Sequence, residues 1–125
     1  MPENLWPDFS GEPRLRTVRR VLIEAGEGLA ERTEGKIHFE VESKPGGQGR
    51  FLHDCYLFVP SILYRYPLFK VVEEGDPYPV TVIGDATFQK GVAAGKERAL
   101  VENLKLLFHA DTTKKMVQQL LDLLS

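Results

Sequence analysis

The hydrophobic residues near the N-terminus recur at steps of three and four, which is the spacing of an amphipathic helix. This spacing predicts one helix over residues 13 to about 33, with Pro13 in its first turn and Gly35 at its end. Gly26 and Gly28 lie inside this helix, where a glycine costs about 1 kcal/mol relative to alanine. We therefore expect a bend there, or the close approach of another backbone.

The period changes to two after the first helix, which is typical of strands. Alternation over residues 37–42 predicts a first strand, and the glycine-rich residues 44–49 predict a hairpin loop. Residues 51–59 and 64–72 are rich in aromatic and β-branched side chains and predict two more strands. A fourth, short strand is predicted over residues 78–83, where Pro79 favours an edge strand or a strand start.

The C-terminal part of the chain returns to helical spacing. Residues 84–95 are interpreted as a loop, a second helix is predicted from Lys96, and a third helix, capped by Asp111, Thr112 or Thr113, is predicted to continue to the C-terminus. The two C-terminal helices are expected to form an αα hairpin. The chain, residues 1–125, is therefore predicted to be a single α+β domain: a four-stranded antiparallel meander preceded by one helix and followed by a two-helix hairpin.

The second and third predicted strands carry apolar residues at both odd and even positions. In the second strand Cys55 and Leu57 alternate with Tyr56 and Phe58, and in the third strand Tyr66 and Leu68 are expected on one face with Phe69 and Val71 on the other. Exposing several such side chains forfeits several kcal/mol at about 25 cal/mol per Å². Either helices cover both faces of the sheet, or all helices pack on one face and a second polypeptide covers the other.

Composition and charge exclude several classes of protein. The 125 residues are 42% hydrophobic and 27% charged, and 16 basic against 18 acidic residues give a net charge of −2, so no overall field attracts nucleic acid or a membrane. No apolar run approaches the ~20 residues that span a bilayer. The single cysteine, Cys55, and an N-terminus without a secretory pattern indicate a reducing cytoplasm. Trp6 is expected to pack against the domain.

The chemistry-bearing residues form no strong motif. Glu42 and Lys44 have the E-x-K spacing of metal-dependent nucleases and hydrolases, with Asp54 or His53 as the further ligand, and this is the enzymatic alternative. A zinc site is disfavoured because its ligands would be widely separated along the chain: His38, His53, Cys55 and His109. Residues 91–97 are one residue short of a phosphate-binding loop. We therefore expect no cofactor and no metal.

A cluster of arginines at the start of the first helix offers a nucleic-acid contact as a second alternative. The helix dipole disfavours positive charge at that end, so the cluster favours an anion; its members are Arg14, Arg16, Arg19 and Arg20. Glutamates on the same helix, such as Glu24 four residues after Arg20, neutralise part of this charge. A solvated helix face is therefore the simpler interpretation.

Several short segments together form a recognisable set: Trp6-Pro7-Asp8, residues 29–35 after a helix opened by Pro13, Tyr64-Arg65-Tyr66, Tyr78-Pro79-Val80 and Thr113-Lys114-Lys115. With this set the chain resembles a group of small bacterial proteins that have no assigned activity. The resemblance covers most of the chain and implies a free-standing bacterial cytoplasmic domain. It implies no catalytic residue.

The two-sided apolar sheet and the absence of a convergent polar motif favour a non-catalytic protein-interaction module, acting on itself or on another protein. A homodimer, or an accessory, inhibitor or immunity-type role, suits such a domain. The expected contact residues are of types enriched at interfaces: Tyr64, Arg65, Tyr66, Phe69 and Tyr56. Neither a membrane nor a nucleic acid is expected as the partner.

Overall fold

A computed structural model describes residues 4–8, 16–75, 78–84 and 91–125 of the chain. The helices are α1 (Val18–Gly26), α2 (Gly28–Arg32), α3 (Glu97–Phe108) and α4 (Asp111–Leu124). The strands are β1 (His38–Gly47), β2 (Arg50–Val59), β3 (Tyr64–Glu73), β4 (Val80–Ile83) and β5 (Val92–Ala94), and one turn of 3₁₀-helix, Pro60–Ile62, joins β2 to β3. The predicted α+β class is confirmed.

The five strands form one antiparallel sheet in the order β1-β2-β3-β4-β5, so the predicted meander is present with one strand more than expected. The predicted number of four strands is wrong because β5 lies in residues 84–95, for which the sequence predicts a loop. Its three residues pair with β4, from Val80 opposite Ala94 to Val82 opposite Val92. A strand of that length is too short to show a period.

The hairpin between β1 and β2 is tighter than the predicted loop. Gly47 pairs with Arg50, which leaves Gln48 and Gly49 as a two-residue turn. Both have positive φ, 52° and 78°, as a type I′ turn requires. The β1 strand therefore continues five residues beyond the predicted end at residue 42.

A bulge between β2 and β3 changes which side chains share a face. Cys55 pairs with Phe69 but Tyr56 pairs with Pro67, so Leu68 is the extra residue. Because of this shift, Tyr66 and Phe69 lie on the same face of the sheet. The expectation that they lie on opposite faces is wrong, since alternation holds only on either side of a bulge.

All helices described pack on one face of the sheet, called here the helix face. One cluster lies under α1 and α3 and contains, among others, Val21, Cys55, Val71 and Leu104; a second lies under α4 and contains Ile37, Leu57, Val59 and Leu120. Every buried strand residue projects from this face. Of the two arrangements that the sequence left open, the structure shows the one with helices on a single face.

The first predicted helix is shorter than expected and is divided in two. It begins at Val18, where the Thr17 side chain accepts a hydrogen bond from the Arg20 backbone N–H at 3.0 Å and caps the first turn. Glu27 separates α1 from α2, and Gly26 packs directly on the Phe39 side chain. The helix is therefore interrupted at the glycines, but the group that closely approaches Gly26 is the Phe39 side chain and not another backbone.

Two further expectations have different outcomes. Trp6 does not pack against the domain: its side chain is 77% exposed, and its backbone N–H bonds to Asn4 Oδ1 at 3.1 Å. The predicted helix start at Pro13, the arginine Arg14 and part of the 84–95 loop lie outside the described residues. Within the described helices, none is long and apolar enough to cross a membrane.

Candidate functional site

The face of the sheet opposite the helices, called here the open face, is the main candidate site. Strand pairing places acidic, basic, aromatic and aliphatic side chains on this face in adjacent rows. Its residues are His38, Glu40, Glu42 and Lys44 of β1; Leu52, Asp54, Tyr56 and Phe58 of β2; Arg65, Pro67, Lys70 and Val72 of β3; Thr81 and Ile83 of β4; and Ala93 of β5. In the part of the chain that the structure describes, none of them belongs to either core cluster.

Apolar groups on the open face are shielded in part by charged neighbours. The Arg65 guanidinium lies over the Tyr56 ring, 5.4 Å from its centroid, and reaches Glu40 and Glu42 at 3.3 and 3.4 Å. Asp54 accepts from Lys44 at 3.2 Å and lies 4.0 Å from Lys70 Nζ. This hydrogen bond and the charge of Asp54 raise the pKa of Lys44. Because the Arg65 side chain covers one face of its ring, Tyr56 is only partly exposed.

The five predicted contact residues do not form one surface. Arg65 and Tyr56 meet on the open face. Tyr64, Tyr66 and Phe69 project from the helix face, because the bulge brings them into register with Val59, Leu57 and Cys55 respectively. Phe69 is part of the core and Tyr66 packs against the second cluster, whereas Tyr64 is 40% exposed at the end of the sheet. The structure therefore brings together two of the five on the open face.

The residues of the enzymatic alternative are engaged with other side chains. Glu42 bonds to Arg65, and Lys44 bonds to Asp54. His53 and Cys55 lie on the helix face, not beside Glu42. Within residues 4–8, 16–75, 78–84 and 91–125, no group of three or more His, Cys, Asp or Glu could hold a metal ion. In the described residues, the side chains named for this alternative therefore do not converge on one site.

The arginines of the nucleic-acid alternative are largely used within the fold. Arg16 bonds to Glu24 and lies 3.4 Å from Glu97 on α3. Arg19 binds the β1 edge through its Nη1, which donates to the Val41 carbonyl at 3.0 Å. Arg20 is exposed on α1. The described part of this cluster therefore offers a nucleic acid little free charge.

A hydrogen-bonded chain across β1, β2 and β3, which sequence reasoning missed, surrounds His53. Its Nδ1 lies 2.7 Å from Ser43 Oγ and its Nε2 lies 3.0 Å from Glu73 Oε2. Arg19 Nη1 donates to the same Ser43 oxygen at 2.9 Å. Ser43, His53 and Glu73 all have suitable hydrogen-bond partners when the Ser43 hydroxyl donates to Nδ1 of His53 and the Nε2–H of His53 donates to Glu73.

Serine, histidine and carboxylate are bonded in the same order in the catalytic triad of many hydrolases, but here the histidine is buried. The His53 residue is only 4% exposed. A leaving group would have no access to the imidazole, which must return a proton in such a reaction. We infer that the chain stabilises a buried imidazole between strands.

Replacing Glu73 by leucine tests this structural role. The Nε2 proton of His53 would lose its acceptor in a buried site, so we expect the free energy of unfolding to fall by about 1–3 kcal/mol. Urea denaturation followed by circular dichroism measures it. The control is Glu74→Leu at the next position, where the carboxylate is half exposed and bonds to Arg50; its loss is expected to cost below about 1 kcal/mol. Equal losses in the two variants would contradict the assigned role.

The fold and the open face define an α+β domain with a five-stranded antiparallel sheet covered by helices on one face. No protein-family model matches the chain, and the comparisons found no similar curated protein and no similar solved structure.

Proposed function

We propose that the protein is a non-catalytic interaction module that pairs with a second copy of itself through the open face. The observation that carries this proposal is that every described helix packs on the opposite face, while the open face keeps Tyr56, Phe58, Leu52 and Val72 partly exposed. Burying such side chains against a partner removes apolar area from water, at about 25 cal/mol per Å².

The composition of the open face is that of an interface and not of a core. Tyr56 with Arg65 above it combines two residue types that are enriched at interface hot spots. The ion pairs at Asp54 and Arg65 keep the free face hydrated. A face of this kind suits partners that fold separately and associate reversibly, because an obligate interface is more apolar.

The distribution of charge supports a second copy as the partner. Strand β1 contributes Glu40 and Glu42 beside one base, Lys44, to the open face and is acidic on balance, whereas β3 contributes Arg65 and Lys70, with β2 between them. When two such sheets stack face to face about a twofold axis along β2, β1 of each copy lies over β3 of the other. The acidic strand of each copy then faces the basic strand of its partner, so the surface is self-complementary.

Solution mass tests the proposal directly. We expect light scattering and sedimentation, across about a hundredfold range of protein concentration, to show a monomer–dimer equilibrium. Arg65→Glu is expected to weaken the dimer by at least about tenfold, because it places acid opposite acid and removes the stack on Tyr56. Arg98→Glu makes the same charge change on exposed α3 and is expected to leave the equilibrium unchanged. A monomer at all concentrations would refute the proposal.

A charge-swap experiment distinguishes this geometry from any other self-association. The Arg65→Glu variant has acid on both strands, and the double variant Glu40→Lys, Glu42→Lys has base on both, so each is expected to remain monomeric. Mixed together they are expected to form a heterodimer, since acid then faces base at both contacts. If each variant dimerises alone, or if the mixture stays monomeric, the paired arrangement of β1 and β3 is wrong.

A further inference from the structure

A groove on the helix side of the sheet has the properties of a small-molecule site. It opens between α2 and α4, has a volume of about 710 Å³, and lies on the opposite side of the sheet from the open face. Its lining is mostly apolar and comes from the sheet and all four helices, and its larger apolar members are Leu29, Phe39, Leu57, Leu68, Phe108 and Val117. Ligand pockets in proteins commonly measure about 300–1,000 Å³ and have such a lining.

The charged groups at the groove are all basic. Arg32 of α2 and Lys114 of α4 line it, together with His109, and none of the described lining residues is Asp or Glu. The chain as a whole has more acidic than basic residues, so this sign is local. Among the described residues neither Arg32 nor Lys114 has an ion-pair partner. Two cations beside an apolar floor are thus left to attract an anion from solution.

One wall of the groove is left open by a glycine. Gly28, the first residue of α2, lines the groove, and a Cβ placed on it would have no atom within 4 Å. The backbone of α2 can therefore be approached closely by a bound molecule. A larger side chain at this position would occupy space at the groove without a clash at its Cβ.

We propose that this groove binds a small amphipathic anion: a monocarboxylate with an unbranched hydrocarbon tail, such as a free medium-chain fatty acid. The tail lies on the apolar floor over Phe39, Leu57 and Leu68, and the carboxylate meets Arg32 and Lys114 at the rim. The apolar floor excludes small hydrophilic anions such as phosphate, and the basic rim disfavours a cationic amphiphile. The site is independent of the proposed dimer contact, which uses the other face of the sheet.

Calorimetric titration of the full chain tests the proposal with three probes that share one tail. Decanoate, below its micelle-forming concentration, is expected to bind at one saturable site at least about tenfold more tightly than decanol or decyltrimethylammonium. Equal affinity for the three probes, or no saturable binding of decanoate, would overturn it. Amide NMR shifts on adding decanoate are expected to be largest along α2 and the first half of α4.

Three variants place the decanoate site. Gly28→Leu is expected to fill the groove and Lys114→Glu to reverse the charge at its rim, each weakening decanoate binding by at least about tenfold. Lys115→Glu makes the same charge change one residue further along α4, outside the groove lining, and is expected to change affinity by less than about twofold. Circular dichroism verifies that each variant folds. If Gly28→Leu does not fold, the variant at the exposed Lys114 position decides where decanoate binds. Unchanged affinity in Lys114→Glu, or an equal loss in Lys115→Glu, refutes this location.

Discussion

Replacing Gly26 by alanine is expected to cost about 3 kcal/mol of the free energy of unfolding, a large share of what a domain of this size has. A Cβ at this position would lie 2.7 Å from the Cβ of Phe39 and closer still to its ring. The Phe39 Cβ is fixed by the β1 backbone, so rotating the ring would not relieve the contact at this atom. Its centroid also lies 5.9 Å from that of Phe69 and 5.5 Å from that of Phe108, so a shift of Phe39 disturbs the packing of α3 on the sheet.

Gly28→Ala is the matched control for this prediction. It makes the same chemical change two residues further on, at a position where an added Cβ meets no atom within 4 Å. Alanine there restricts the unfolded chain and favours the helix, so we expect stability to rise by about 0.5–1 kcal/mol. Urea denaturation of the two variants beside the wild type measures both. Equal effects of the two substitutions would show that Gly26 tolerates a side chain and that the packing on Phe39 is wrong.

Those elements whose side chains alternate or recur without interruption could be predicted from the sequence. Helix α3 begins at Glu97, one residue after the predicted start, and α4 is present, although its N-cap is Ala110 and not Asp111, Thr112 or Thr113. Gly35 has a φ of +79° after α2, as the predicted end of the first helix requires. The local signal and the tertiary contacts agree in these places, so the sequence pattern was sufficient.

The composition of the two sheet faces could not be predicted, because register shifts are invisible in a residue pattern. The shift near Gly46 places Ser43 opposite His53, where an unbroken ladder from the Gly47–Arg50 pair would place Lys44. The bulge at Leu68 moves Tyr66 to the side of Phe69. Each shift moves the side chain of every residue on one side of it to the opposite face of the sheet. The chain of hydrogen bonds at His53 depends on the first shift and the exposure of Arg65 on the second.

The free energy of unfolding is expected to fall by about 2 kcal/mol between pH 9 and pH 10.5 because of one thiol. Burial, and next the charge of Asp54, raise the pKa of Cys55 far above its ordinary range. The unfolded thiol ionises from about pH 8.5 upwards while the native thiol keeps its proton. The unfolded state therefore binds fewer protons over this window, and stability is lost as the pH rises, with a slope approaching about 1.4 kcal/mol per pH unit.

Cys55→Ala isolates this contribution from that of other groups. Burial, and next the charge of Glu97, also raise the pKa of Tyr78, but this group is present in both proteins. The difference between the two slopes of stability against pH, measured by urea denaturation at several pH values, then belongs to the thiol alone. The alanine variant starts less stable because it leaves a small cavity beside Val71 and Phe69, yet its curve is expected to be the flatter of the two. Parallel curves would mean that the native thiol ionises as readily as the unfolded one, which a side chain enclosed between α1 and the sheet does not do.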